Sequence, residues 1–225
     1  MNILSLAAGV VLAYLLGSIP TSVWIGRAFF KKDVRNYGSG NAGATNTMRT
    51  LGWKAGVVVL SFDVFKGALA VLLSDFFVPE FCSPAQTIHY NVICALTTVA
   101  GHIYPVFAGF KGGKGVATLT GIMIALLPWH TVSACIVFVL VILTSGYVSL
   151  SSIVTAISYP FIVMFLHRFF PLLPPIEISE VIFSFAIAVF IPIIHLKNIK
   201  RLLKGEEKKI FGKKKPRYKD VLSNE

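Results

Sequence analysis

Apolar residues in this chain come in long runs separated by short polar stretches, and within the runs they do not alternate with polar ones. Seven runs can be drawn, at about 3–26, 54–76, 88–108, 115–129, 131–146, 151–167 and 179–197. Each is roughly 15 to 24 residues long, about what a helix rising ~1.5 Å per residue needs to cross ~30 Å of hydrocarbon. A membrane β-barrel would instead show alternating segments of roughly ten residues, and a stretch such as Ile182 to Ile194 does not alternate. The pattern therefore predicts an all-α polytopic membrane protein with about seven transmembrane helices. The fourth and fifth runs are short and only Pro128-Trp129-His130 separates them, so a re-entrant hairpin is the alternative there. No Lys or Arg precedes the first run, which reads as a retained span and not as a cleavable signal.

Composition agrees with this picture and charge orients it. With 55% hydrophobic and 14% charged residues the chain is too apolar for an ordinary aqueous surface. All lysines and arginines except Lys66 and Arg168 fall in what would be the inner loops and the C-terminal tail, if the N-terminus lies outside. The outer connections then carry Asp75, Glu80, Glu177 and Glu180. The positive-inside rule thus predicts an outside N-terminus and a cytoplasmic C-terminus. One membrane domain is expected over 1–201, with catalytic cytoplasmic loops, followed by a basic tail over 202–225 held near anionic headgroups. The three cysteines, Cys82, Cys94 and Cys135, are scattered and indicate neither a disulfide framework nor a metal cluster.

Unusual sequence gathers on the same inner face. Between the first two runs lies Tyr37-Gly-Ser-Gly-Asn-Ala-Gly-Ala-Thr-Asn-Thr-Met-Arg49, rich in glycine and in small hydroxyl and amide side chains. Glycines let backbone N–H groups turn toward an anion, and Arg49 offers a planar fork for two phosphate oxygens; a flexible polar loop is the plainer alternative. The next inner loop, Gly101-His-Ile-Tyr-Pro-Val-Phe-Ala-Gly-Phe-Lys-Gly-Gly-Lys-Gly115, feeds a helix start at Val116, the geometry of an anion site at a helix N-terminus. Lys114 is followed by Gly115 and not by Ser or Thr, so this is no Walker A loop. The third connection, Ser145-Gly-Tyr-Val-Ser-Leu-Ser-Ser152, reads first as helix capping. In the last, His195 and Asn198 share a helical face with Arg201, and Gly205-Glu206 follows. Asp63 and Lys66 sit three apart inside an apolar run, as a structural pair or as part of a pocket wall. His89, His130 and His167 fall at outer ends and read as interfacial packing.

Taken together, Gly38 to Asn46 with Arg49, Gly101-His102 to Pro105 with Phe110 to Thr118, and His195, Asn198, Ile199 and Arg201 with Gly205-Glu206 resemble the acyl-phosphate-dependent glycerol-3-phosphate acyltransferases of bacteria, the PlsY type. The resemblance spans almost the whole chain. It implies transfer of a fatty acyl group from acyl phosphate to the 1-hydroxyl of sn-glycerol 3-phosphate, giving lysophosphatidic acid and phosphate at the cytoplasmic face of a bacterial inner membrane. On this resemblance Ser39, Arg49, His195 and Asn198 are the expected catalytic residues. The expected phosphate-binding set is Gly40, Asn41, Gly43, Thr45, Asn46, Lys111, Gly112, Gly113, Lys114, Gly115, Ser151 and Ser152, with Ser149 an alternative in the serine-rich connection.

No metal and no cofactor is expected, because acyl phosphate is a mixed anhydride that already carries its leaving group. None of the five histidines has Asp five residues later, so the His-x4-Asp dyad of other acyltransferases is not the strategy here. The expected partners are the two substrates and membrane lipids, without nucleic acid. Oligomeric state is left open, a monomer being sufficient. The rival reading is a transporter of a phosphorylated metabolite or lipid, since inner-face anion loops and an intramembrane Asp63–Lys66 pair would also serve one; no inverted repeat supports it.

Overall fold

A computed structural model describes residues 3–210, and every regular element within them is helical. In chain order these are α1 (Ile3–Gly17), α2 (Thr21–Phe30), α3 (Ala44–Leu51), α4 (Trp53–Ser74), α5 (Pro84–Ile103), α6 (Val116–Leu126), α7 (Pro128–Ser145), α8 (Val148–Phe169), α9 (Ile178–Ile194) and α10 (Leu196–Leu203). All seven apolar runs are therefore helical, but they do not all make straight spans. The first bends by 42° between α1 and α2, where Pro20 has no N–H to continue the ladder. The last bends by 59° between α9 and α10, just after Pro192 in the final turn of α9.

Length sorts the rest. Segments built on α4, α5, α7 and α8 are each long and apolar enough to cross a membrane, and counting each bent pair as one span brings the number among the described residues up to six. The run expected at 115–129 shortens to α6, eleven residues or ~16 Å, about half the hydrocarbon thickness. Its ends are set locally: Gly115 at φ +75° opens it, and Leu127, kept out of the helical region ahead of Pro128 (φ -134°, ψ 68°), closes it. This short helix sits deep because glycines let it. Methyl groups added at Gly67 in α4 and Gly121 in α6 would lie 2.2 Å from the Thr118 carbonyl oxygen and 1.8 Å from that of Val64. Such close backbone approach is the usual basis of helix association in lipid.

Side-chain burial follows the lipid solvent. The core centres on Ile122, Val163, Ala95, Phe183 and Ile191, contributed by α5, α6, α8 and α9. Large side chains such as Phe62, Leu140, Phe161 and Val189 point outward, as a bilayer requires and water would penalise. At one end lie the acidic connections, where Ser83–Gln86 and Glu177–Glu180 form reciprocal caps on α5 and α9. The basic loops converge at the other. Residues 204–210, expected to belong to a solvated tail, fold back over that end, and the Ile210 N–H donates to the Gly146 carbonyl at 2.8 Å. The remaining tail, 211–225, lies outside the described residues.

Candidate active site

Four segments distant in sequence meet around a cavity of about 660 Å³ that opens at the basic end and runs into the helices. The first segment is shaped by its own polar side chains. Asp33 caps the turn at Val34–Asn36 and pairs with Arg35 at 2.8 Å, while Arg35 also donates to the carbonyls of Ala108 (2.7 Å) and Lys111 (3.2 Å). Arg35 thereby ties the first inner loop to the second. Buried Asn46 accepts from the Ser39 N–H at 2.8 Å and donates to the Val34 and Tyr37 carbonyls at 2.8 and 3.1 Å. That amide holds the loop in shape and has little left for a ligand, which alters its expected phosphate-binding role. Ser39, Asn41, Gly43, Thr45 and Arg49 border the cavity alongside it; Gly40 does not. The loop ends in the first turn of α3, whose Gly43–Thr45 backbone faces the cavity with the positive end of the helix.

The second segment differs from its sequence expectation in an instructive way. Gly112 and Gly113 do not line the cavity; their N–H groups are already donated to the Ile103 and His102 carbonyls at 3.0 and 3.1 Å. Their glycine identity is steric. A methyl group at Gly112 would lie 2.0 Å from the His102 carbonyl oxygen, and one at Gly113 2.3 Å from His102 Nε2 and 2.7 Å from the Ala42 carbonyl oxygen. The tight turn they make delivers Lys114, Gly115 and the first turn of α6 to the cavity wall. Lys111 points to solvent and only its carbonyl is engaged, so the structure does not bring it to the site.

In the third segment the wall takes Ser149 and Ser152, both on the start of α8. Ser151 is fully buried elsewhere, bonded to the Tyr147 carbonyl, and does not reach the cavity. The fourth brings His195, Asn198 and Arg201. His195 is buried and its Nδ1 lies 2.8 Å from the Ile191 carbonyl, which can only accept; the proton is therefore on Nδ1 and Nε2 is left as an acceptor. Asn198 takes Lys114 Nζ on its oxygen and gives its nitrogen to Glu207 Oε1 at 2.8 Å.

Glu207 is the site residue that sequence reading missed; Glu206, singled out instead, is exposed. The Glu207 carboxylate collects Ser149 Oγ (3.0 Å), Asn198 Nδ2 (2.8 Å) and Arg201 Nε (2.6 Å). Burial pushes its carboxyl up, but the hydrogen bonds from Arg201, Asn198 and Ser149 outweigh that and hold it below the usual range. The only signal was an acid pair amid tail lysines, which composition alone reads as solvated charge. Next to it Arg49 Nη2 donates to the Lys208 carbonyl at 2.8 Å, and Lys209 lies over the Tyr147 ring. Lys114 is pushed down to about 8, first by burial and then by Arg201 and Arg49, with Glu207 opposing.

Away from this polar mouth the wall turns apolar, with Leu119, Met123, Phe138, Ile142, Ile187 and Ile191. Along α8 the lining runs from Ser149 to Tyr159, ten residues or ~15 Å of depth. The arrangement can hold an anion at the mouth between two helix N-termini and the cations Arg49, Lys114 and Arg201, and accept a long apolar group behind it.

Comparison with known proteins identifies the family. Residues 7–205 match the family profile described as glycerol-3-phosphate acyltransferase. Glycerol-3-phosphate acyltransferase 2 of Bacillus anthracis is 43% identical over 212 residues, covering 93% of this chain and all of the relative. The glycerol-3-phosphate acyltransferase of Enterococcus faecalis is 38% identical over 216 residues, covering 95% and 96%. Among solved structures, the glycerol 3-phosphate form of PlsY (YgiH), an integral membrane glycerol 3-phosphate acyltransferase, superposes with a TM-score of 0.78 at 38% identity, covering 92% of this chain and 96% of that one. Its lysophosphatidic acid form gives 0.76 at 37%.

The two neighbouring glutamates should separate cleanly. Glu207→Ala strands three donors and is expected to cost roughly 2 kcal/mol, less than a fully buried pair because the Arg201 side chain is 37% exposed. Glu206→Ala should stay within about 0.5 kcal/mol. Thermal unfolding of both variants in detergent checks this, and equal losses would contradict the role given to Glu207.

Proposed function

The chain belongs to the glycerol-3-phosphate acyltransferase family, and from that premise we propose that its acyl donor is an acyl phosphate and that the reaction takes place at the cytoplasmic face of a bacterial inner membrane. The alternative of a transporter falls away with the family assignment. The observation that carries the donor proposal is one cavity of about 660 Å³ that joins a cationic mouth to an apolar interior. A donor with a phosphate directly on the acyl carbon of a long apolar chain fits both parts at once, whereas a thioester donor carries its phosphates at the far end of a pantetheine arm, well away from the carbon that reacts.

In this reading the acyl-phosphate head sits against the first turn of α3 with Ser39 and Arg49, and its chain enters the apolar wall between α6, α7, α8 and α9. Glycerol 3-phosphate sits against the first turn of α6 with Lys114, which Asn198 holds in place. The 1-hydroxyl oxygen attacks the acyl carbon; the new C–O ester bond forms, the bond from that carbon to the phosphate oxygen breaks, and phosphate leaves. The hydroxyl proton passes to His195 Nε2 or to a phosphate oxygen of the substrate. Helix N-termini and fixed cations stabilise the charge that develops on the carbonyl oxygen and the departing phosphate, so the chain's own residues mainly position and neutralise.

Purified protein in detergent, given labelled glycerol 3-phosphate with acyl phosphate, acyl-CoA or acyl carrier protein thioester in parallel, should form a lipid-soluble product with the first alone. Product from a thioester at an equal rate would overturn the donor assignment. Lys114 supports a second expectation. Its charge is present below about pH 8 and is lost as pH rises through that value, so kcat/KM for glycerol 3-phosphate should fall above pH ~8. In Lys114→Arg the fall should move beyond pH ~10, because guanidinium stays protonated; an unchanged profile would remove Lys114 from glycerol 3-phosphate binding. For the placement of the site, single cysteines at Ser39 and Lys208 in a background lacking Cys82, Cys94 and Cys135 should react with an impermeant thiol reagent in inside-out vesicles and not in right-side-out ones. Labelling in the opposite orientation would reverse the topology.

A further inference from the structure

Nothing in the reaction scheme uses the ionisable pair inside α4. Asp63 and Lys66 are 2% and 5% exposed and 2.9 Å apart. Burying two charges costs several kcal/mol in desolvation, and an apolar pair of similar volume would join the same helices at least as well. Adhesion alone therefore does not account for the pair, and its surroundings suggest what does.

Lys66 Nζ also donates to the Ile19 carbonyl at 2.8 Å, at the break between α1 and α2, and Asp63 Oδ1 accepts from Thr21 Oγ1 at 3.1 Å, at the start of α2. The same oxygen lies 3.8 Å from His102 Nδ1, and Thr118 Oγ1 lies 3.0 Å from that nitrogen. A carboxylate on this side favours the proton on Nδ1, with Thr118 accepting it, and leaves Nε2 on the far edge of the ring. That edge is where the ring meets the glycine-rich turn. The position a Gly113 methyl group would take lies 2.3 Å from Nε2, and the His102 carbonyl accepts the Gly113 N–H at 3.1 Å. Thr118 stands in the first turn of α6, and Asp63 and His102 both border the cavity. Lys66 neutralises Asp63, so the carboxylate can stand near an anion site without repelling its ligand.

We propose that Asp63, Lys66 and His102, with Thr118, are positioning residues: a buried polar network that fixes the turn Gly112–Gly115 and the start of α6, and thereby sets the affinity for glycerol 3-phosphate. It acts through the turn and touches no substrate. The inference rests on the assignment of that turn to glycerol 3-phosphate.

Steady-state kinetics on purified protein, varying each substrate, test it. Asp63→Asn and His102→Gln should each raise the KM for glycerol 3-phosphate about tenfold, with kcat and the KM for acyl phosphate within about threefold. The double variant should be no worse than about twice the larger single effect, because both act through one turn. Thr118→Val, a milder change, should give about a threefold rise. Asn91→Leu is the stability control: it breaks a buried network with Ser74 and Asp75 at the other end of the bundle, bonded at 2.7 Å to each, and should lower Tm without moving either KM. Should Asp63→Asn fail to fold, His102→Gln and Thr118→Val decide. An unchanged KM in both, or a rise matched by Asn91→Leu, overturns the proposal. Gly113→Ala separates the premise from the inference: a selective rise in KM for glycerol 3-phosphate upholds the turn assignment even if Asp63→Asn is silent. A shift in the acyl-phosphate KM instead would sink the assignment itself.

Discussion

Phosphate can be held beside hydrocarbon only if fixed donors replace the water it loses, and the architecture of this protein follows from meeting that requirement. Two helices, α3 and α6, begin at the cavity wall, so their unpaired N–H groups and positive ends face the same space. Neither position is arbitrary. α3 begins there because Asn46 and Arg35 fix the loop before it, and α6 because the Gly112–Gly113 turn is bonded back onto the end of α5. Both loops are also locked to one another, through Arg35 on the Ala108 carbonyl and through Gly113 packed against the Ala42 carbonyl.

Fixed cations do the rest, and their number creates a problem of its own. Arg49, Lys114 and Arg201 lie close enough that burial and mutual repulsion lower the pKa of Arg49 and Lys114. Glu207 relieves this by placing one carboxylate among them, bonded to Arg201 and, through Asn198, linked to Lys114. Its negative charge opposes the lowering at both Arg49 and Lys114. The cost is that the chain must fold back after α10 and lie across the mouth, which is why residues 204–210 belong to the site and not to a free tail.

A related logic applies deeper in the bundle. The short α6 reaches only partway through the hydrocarbon, and its first turn meets the buried charges on α4 through Thr118 and His102. Close contact of Gly67 with α6 and of Gly121 with α4 brings the helices near enough for this to happen. The cavity mouth and the lipid-facing bundle are consequently one mechanical unit: apolar packing sets the helix positions, and those positions set where the N–H groups point.

Sequence by itself determined the solvent, the helical class and the gathering of the basic loops at one end of the bundle, because each follows from local quantities: run length against bilayer thickness, absence of alternation, and charge between runs. It also singled out all four segments that form the cavity mouth, since glycine, small polar and cationic residues are rare in a lipid-facing chain. What it could not determine was which atoms each residue had free. Gly112 and Gly113 read as backbone donors but have their N–H groups engaged; Asn46 reads as a ligand and serves as a clamp; Lys111 and Ser151 turn elsewhere. Glu207 was invisible because its partners lie at Ser149, Asn198 and Arg201, on two other elements. Periodicity and composition are properties of neighbours along the chain, whereas hydrogen-bond satisfaction and charge compensation are properties of neighbours in space, and only the folded bundle decides who those are.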